Sequence, residues 1–187
     1  MTASLMVEAG DEVAHSSQET PAAFRQRLIE TLPHLRAFAR GLCGRHDYAD
    51  DLAQEAAVKA WAARDRFIPG TSIRAWTFTI LRNHYLSEMR KSWRMTELED
   101  GTAERILVIN AAQEDTVHLS DMETALQQLS PERREALLLV GAGGFTYEEA
   151  AQICDTAIGT IKSRVARGRS DLLRLLGEEP GVAGDDP

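Results

Sequence analysis

Between Ser120 and Thr146 the sequence carries three helix starts, which restricts this half of the chain to short helices packed side by side. Ser120-Asp-Met-Glu123 and Thr146-Tyr-Glu-Glu149 have capping-box spacing, in which a hydroxyl and a carboxylate three residues apart each accept the other's backbone N–H. Ser130 precedes Pro131, and proline suits a first helical position because the N–H it lacks would have no partner there. Gly141, Gly143 and Gly144 end the second of these helices. Asp155-Thr156 interrupts the pattern after Cys154, and a longer amphipathic segment then runs to about Leu176. Four helices are expected in this unit.

From Pro21 to about Met95 three further helical patterns follow one another, broken at Gly41 to His46 and at Ile68 to Ser72, where Pro69-Gly70 signals a turn. Strand signals are absent. Thr96 to Leu119 mixes polar and apolar residues with an acidic bias and reads as a linker, in which Ile106 to Ala112 could form a helical turn. Residues 1–20 and 177–187 combine acids with small residues and show no amphipathic period, so both are expected to be disordered tails. The expected fold is all-α: two small helical domains, 21–95 and 120–176, joined by a flexible acidic linker, 96–119.

The formal charge of −8 argues against a nucleic-acid partner only if the acid lies in the folded parts. It does not: segments 1–20, 96–121 and 177–187 carry −4, −6 and −4, which leaves +6 for residues 21–95 and 122–176. Cys43 and Cys154 have no CxxC or Cys/His spacing for a metal and are expected to be buried thiols in a reducing compartment. The longest apolar stretches, such as Ala136 to Val140, fall far short of a membrane span, and the N-terminus has four acids and no Lys or Arg. A cytoplasmic protein with no membrane partner is expected, and neither a cofactor, a metal nor a small-molecule substrate is implied.

In the second unit, a short helix containing Ala150 and Ala151, a tight turn and a second helix with early polar residues form the pattern of a helix-turn-helix. At about 100° per residue, Ile158, Ile161, Val165 and Leu172 fall on one face of the last helix and Thr160, Ser163, Arg164 and Arg167 on the other. The polar face can hydrogen-bond base edges or phosphate, and no acid stands between Thr156 and Ser170 to repel phosphate. Lys162 and Arg169 lie off its centre, suited to phosphate contact or to covering the core with their stems.

In the first unit, Asp47 to Trp61 forms a helix with Asp51, Gln54, Glu55 and Val58 on one face and Leu52, Ala53, Ala56, Ala57 and Ala60 on the other. The polar stripe has the look of a docking surface. The next helical segment, Ser72 to Arg94, is basic and carries interleaved aromatics, which could attract phosphate and stack on unpaired bases. Trp76 and Phe78 are nevertheless expected in the core.

These residues match a family. Asp50-Asp-Leu-Ala-Gln-Glu-Ala-Ala-Val-Lys-Ala-Trp61 resembles region 2.2 of extracytoplasmic-function (ECF) sigma factors, Ala75-Trp-Thr-Phe-Thr-Ile-Leu-Arg-Asn83 resembles regions 2.3 and 2.4, and Gly159-Thr-Ile-Lys-Ser-Arg-Val-Ala-Arg167 resembles region 4.2. The last of these, continued through Gly168 and Arg169, looks most like the EcfG-type factors of the general stress response. Two departures stand out: Asp155 where many members have glycine in the turn, and Gly168 within the last helix.

The resemblance implies a sigma factor that directs core RNA polymerase to stress-response promoters and has no enzymatic activity of its own. Asp51, Gln54, Glu55 and Val58 would dock on the polymerase clamp helices and the second domain on the flap. Thr71, Ser72, Arg82 and Asn83 would engage the −10 element, and Thr160, Lys162, Ser163, Arg164 and Arg167 the −35 element. A small anti-sigma factor is the further partner expected besides polymerase and promoter DNA. Two other readings compete. A sigma-like decoy that sequesters an anti-sigma factor would need a receiver domain with strands, and a plain helix-turn-helix regulator would leave the first domain unexplained.

Overall fold

The computed structural model describes residues 20–99 and 117–177. The described residues form seven α-helices, with one 3-10 turn and one π turn. Helix α1 (Pro21–Cys43) starts on Thr20, whose hydroxyl accepts from the Ala23 N–H at 3.2 Å, and ends on Gly44 at φ 66°, where glycine avoids the left-handed penalty. Helix α2 (His46–Ala62) lays Leu52, Ala53, Ala56 and Ala60 on α1, the small side chains allowing close approach. A 3-10 turn, Arg64–Arg66, leads into α3 (Ile73–Glu99), whose first turn is capped by Ser72 Oγ accepting from Ala75 N–H at 3.1 Å.

In the second unit α4 spans Val117–Gln128, α5 Pro131–Leu137, α6 Tyr147–Cys154 and α7 Ile158–Leu175. The start expected at Ser120 is corrected: α4 begins a turn earlier, because nothing in Val117-His-Leu119 breaks a helix. Ser130 does occupy the N-cap of α5, but its side chain makes no capping bond there. The Thr146–Glu149 capping box forms in full, with Glu149 N–H donating to Thr146 Oγ1 at 3.1 Å and Thr146 N–H to Glu149 Oε2 at 2.9 Å. After α5 the chain widens into the π turn Leu138–Ala142, in which Gly143 N–H donates to Leu138 O at 2.7 Å.

Helix α3 runs past Met95 to Glu99, so the linker expected at 96–119 is helical at both ends. Its centre, 100–116, with the expected turn at Ile106 to Ala112, lies outside the described residues, as do residues 1–19 and 178–187 of the two tails.

The two units do not stand apart. Their buried side chains form one continuous cluster, from Leu35, Phe38 and Phe78 of the first to Leu138, Phe145 and Ile153 of the second. Phe78 stacks at 4.9 Å on Phe38 of its own unit and edge-on at 4.9 Å against Phe145 of the other. A smaller cluster, Phe24, Leu28, Ala60, Phe67 and Ile73 with Trp76 packed on it, closes the opposite end of the first unit. Burying an aromatic side chain contributes about 1.5–3 kcal/mol, so Phe145 alone is a substantial tie between the units.

Candidate functional site

Helix α7 buries Ile161, Val165 and Gly168 and turns Lys162, Ser163, Arg167 and Arg169 to solvent. Two expectations change here. Ile158, at the first position of α7, is 41% exposed and lies outside the core formed by the described residues. Thr160 and Arg164 are half-buried rather than fully outward. Gly168 serves a neighbouring helix: a Cβ there would meet Leu137 Cδ1 of α5 at 2.9 Å. Asp155 takes the glycine-like turn position at φ 51°, which places α6 and α7 as a helix-turn-helix. Ser163 Oγ donates to Thr160 O at 2.9 Å, and Lys162 Nζ sits 5.8 Å from the Tyr147 ring centre, a cation–π contact.

In the first unit, Asp51, Gln54, Glu55 and Val58 are all exposed, and Val58 at 62% is an apolar side chain left in water. They form one wall of an open groove of about 1000 Å³ between α2 and α3, whose other wall carries Ile80, Asn83, His84 and Glu88. Across the groove Lys59 Nζ donates to His84 Nδ1 at 2.8 Å while lying 3.5 Å from Glu55 Oε1. Burial first and the Lys59 charge second push the His84 pKa down, so the ring is neutral at pH 7. An apolar floor with acidic and amide rims fits a helix bearing basic residues better than it fits phosphate.

The four residues expected at the −10 element are not brought together. Thr71 and Ser72 are exposed on the loop before α3, with Thr71 Oγ1 donating to Ile68 O at 2.7 Å and the Ser72 hydroxyl used as the α3 cap. Asn83 lies in the groove beside the docking stripe. Arg82, on another face of α3, donates through Nε to Glu135 Oε1 of α5 at 2.8 Å.

Family models describe the same two units: Sigma-70 region 2 matches residues 28–95, and Sigma-70, region 4 matches residues 119–172. The chain is 47% identical over 154 residues to the ECF RNA polymerase sigma factor EcfG of Rhodopseudomonas palustris, spanning 82% of this chain and 85% of that protein. The chain belongs to the ECF sigma factors.

Among solved structures, this sigma factor is similar to RpoE from Bartonella quintana in complex with the anti-sigma factor NepR, at 49% identity and a TM-score of 0.73, over 82% of this chain and 96% of that one. It is also similar to CnrH in complex with the cytosolic domain of CnrY, at 27% identity and a TM-score of 0.62, over 84% of this chain and 90% of that one. Among the described residues, no helix of the sigma factor is long and apolar enough to cross a membrane.

Sequence reasoning missed the residues that join region 2 to region 4. Arg134, 8% exposed, donates to Leu42 O at 2.7 Å, to Leu129 O at 3.2 Å, and to both the backbone and side-chain oxygens of Gln127. These acceptors lie at the C-terminal ends of α1 and α4, where helix dipoles favour a cation, so the guanidinium caps one helix from each region and, among the described residues, has no carboxylate partner. Gln127 Nε2 donates to Gly41 O at 2.9 Å, and Arg74 donates to Gly143 O of the π turn. One signal was available: Arg134 is spaced three and four residues from Leu137 and Leu138, on the core side of α5. A charge at a core position calls for buried partners, although their identity cannot be read locally.

Both cysteines are free thiols, but only Cys154 is buried; Cys43 is half-buried, so the expectation of two buried thiols is corrected for Cys43, which lies at the end of α1. Burial, with Glu135 beside it, pushes the Cys154 pKa up to about 12, which makes the thiol inert at neutral pH.

Proposed function

We propose that this sigma factor gives core RNA polymerase its promoter specificity through two surfaces, with the polymerase supplying all catalysis. Region 2, residues 21–95, docks on the clamp helices through Asp51, Gln54, Glu55 and Val58. Its Thr71, Ser72, Arg82 and Asn83 capture the melted −10 element. Region 4, residues 120–176, docks on the flap and reads the −35 element with Thr160, Lys162, Ser163, Arg164 and Arg167. The observation that carries this reading is the outward face of α7, where Lys162, Ser163, Arg167 and Arg169 stand exposed on a helix with no acid between Thr156 and Ser170. Phosphate attracts such a face, and side chains on it can reach base edges in a major groove.

A small anti-sigma protein that occludes the polymerase-docking surfaces is the expected regulator, supported by the 49% identical relative whose structure was solved with the anti-sigma factor NepR. The stress-response assignment rests on the likeness to EcfG. In vitro transcription with purified core polymerase on a promoter library tests the reading. Transcripts starting a fixed distance downstream of a shared pair of elements are expected, and no transcription above core polymerase alone would refute it. Adding the anti-sigma partner should abolish both core binding and transcription; a stable ternary complex with undiminished transcription would remove the regulatory part.

A further inference from the structure

A second cavity, of about 220 Å³, is lined by Arg82 of α3, Arg134 of α5 and Arg164 of α7. It is separate from the larger groove that carries the docking stripe. Three arginines thus share one small volume, and cations drawn together out of water need counter-charge.

The carboxylates of the cavity supply it for one arginine only. Glu135 is fully used, its Oε1 accepting from Arg82 Nε at 2.8 Å and its Oε2 from the Cys154 thiol at 3.5 Å. Glu132 and Asp155 also line the cavity but are exposed, where water and salt screen them. Arg134 spends its terminal nitrogens on backbone oxygens and the Gln127 amide, and its Nε is buried with no partner among the described residues. Burial pulls the Arg134 pKa below the usual arginine value, as expected of a cation short of counter-charge. Arg164 is half-buried and makes no hydrogen bond or ion pair to any described residue.

The uncharged polar groups point to the same kind of ligand. Tyr85 and Thr156 line the cavity, and neither hydroxyl has a hydrogen-bond partner among the described residues. Burial raises the Tyr85 pKa, so its hydroxyl keeps the proton and can donate. The Arg164 guanidinium, the Arg134 Nε–H and two hydroxyls are donors without acceptors, and no buried carboxylate is left to meet them. Guanidinium groups match phosphate oxygens in a forked, charge-assisted geometry. Volume sets the size: sites for drug-sized ligands start at about 300 Å³, so the base and sugar of a nucleotide would have to stay outside.

We propose that this cavity binds one phosphate group, either free phosphate or the phosphate of a small phosphomonoester, held by Arg164 and Arg134 with Tyr85 and Thr156. Arg82 stays with Glu135 and forms part of the wall. The site stands whether or not Arg82 and Arg164 also meet promoter DNA, because it rests on the cavity and its unmatched donors alone.

The experiment titrates inorganic phosphate into the full-length, isotope-labelled protein at pH 7.5, with sodium chloride adjusted to hold ionic strength constant, and follows the amide and arginine Nε–H resonances. Saturating shifts are expected at the Thr156 and Arg164 amides and at the Arg134 Nε–H, with one phosphate bound. Arg164→Gln, folded by circular dichroism, is expected to weaken binding about 10-fold, the loss of a charge-assisted contact. Thr156→Val, which keeps the shape and removes the hydroxyl, should weaken it several-fold and stands in if the first variant does not fold. Arg174→Gln removes an exposed cation of the same helix outside the cavity and should change binding little. Glycerol phosphate in a parallel titration separates the two sources: shifts at the same residues assign a phosphomonoester, and their absence restricts the site to the free anion. No saturation beyond the chloride control overturns the site. So do shifts that are largest at Lys162, Arg167 and Arg169 and that weaken equally in Arg164→Gln and Arg174→Gln, since phosphate would then be meeting only the exposed cations of α7.

Discussion

Arg82 and Glu135 form an ion pair at 2.8 Å although they stand 53 residues apart in the chain and belong to different regions of the sigma factor. The pair links the first half of α3 to α5, so a residue proposed to contact the −10 element is held by the region proposed to read the −35 element.

Arg164→Ala and Arg167→Ala test the α7 face. Each should weaken protection of the −35 element by about 1–3 kcal/mol if it contacts a base, or flatten the salt dependence if it contacts phosphate. Core polymerase binding should stay intact. Unchanged footprints for both variants would show that this face does not read the promoter.

Asn83→Ala separates two roles for the groove residue. If Asn83 captures the non-template strand, open-complex formation falls far more than −35 protection, and a pre-melted bubble template partly restores transcription. Equal losses on duplex and bubble templates, together with weaker core binding, would place Asn83 with Gln54 and Glu55 on the polymerase side of the groove.

Arg134→Ala should destabilise the protein by about 3 kcal/mol, measured by urea denaturation, because it strands carbonyls at the ends of both α1 and α4. Arg134→Lys should recover little of this, since an ammonium lacks the forked donors that reach Leu42, Gln127 and Leu129 together. Full recovery by lysine would mean that charge at the helix ends, not hydrogen-bond geometry, is what matters.

The Cys154 thiol gives a pH test. Its folded pKa is raised to about 12 from an ordinary value near 9, so the folded state favours the protonated form. The associated stability is fully present below about pH 9 and is lost as pH rises from 9 towards 12. Thermal unfolding midpoints should therefore hold from pH 7 to 8.5 and fall above 9, with a smaller fall in Cys154→Ala. At pH 8, iodoacetamide should modify Cys43 well before Cys154 in the native protein and both alike in urea. Equal native rates would contradict the burial of Cys154.

Much of the fold was legible because its signals are local. The Thr146–Glu149 capping box, the Pro69-Gly70 break and the 100° periodicity of α2 and α7 each depend on residues within one or two turns, and the helices formed where these signals place them. The exposed stripe of Asp51, Gln54, Glu55 and Val58 follows from the same periodicity. Local reading failed where a neighbour from elsewhere decided the outcome. Ile158 has the apolar period but stays 41% exposed outside the core of the described residues, and Ser120 has the capping spacing but lies inside a helix that starts earlier. Gly168 read only as a departure within the last helix until Leu137 of α5 was seen against it.

The sequence alone thus determined the helices, their faces and the family, since caps, periodicity and motifs are short-range properties of the chain. Only the tertiary structure decided that regions 2 and 4 share one core, that Arg134 closes two helix ends from different regions, and that Glu135 holds Arg82. The Arg82–Glu135 and Arg134–Leu42 pairings join residues 53 and 92 positions apart, and which of many possible partners meets a buried charge depends on how whole helices pack.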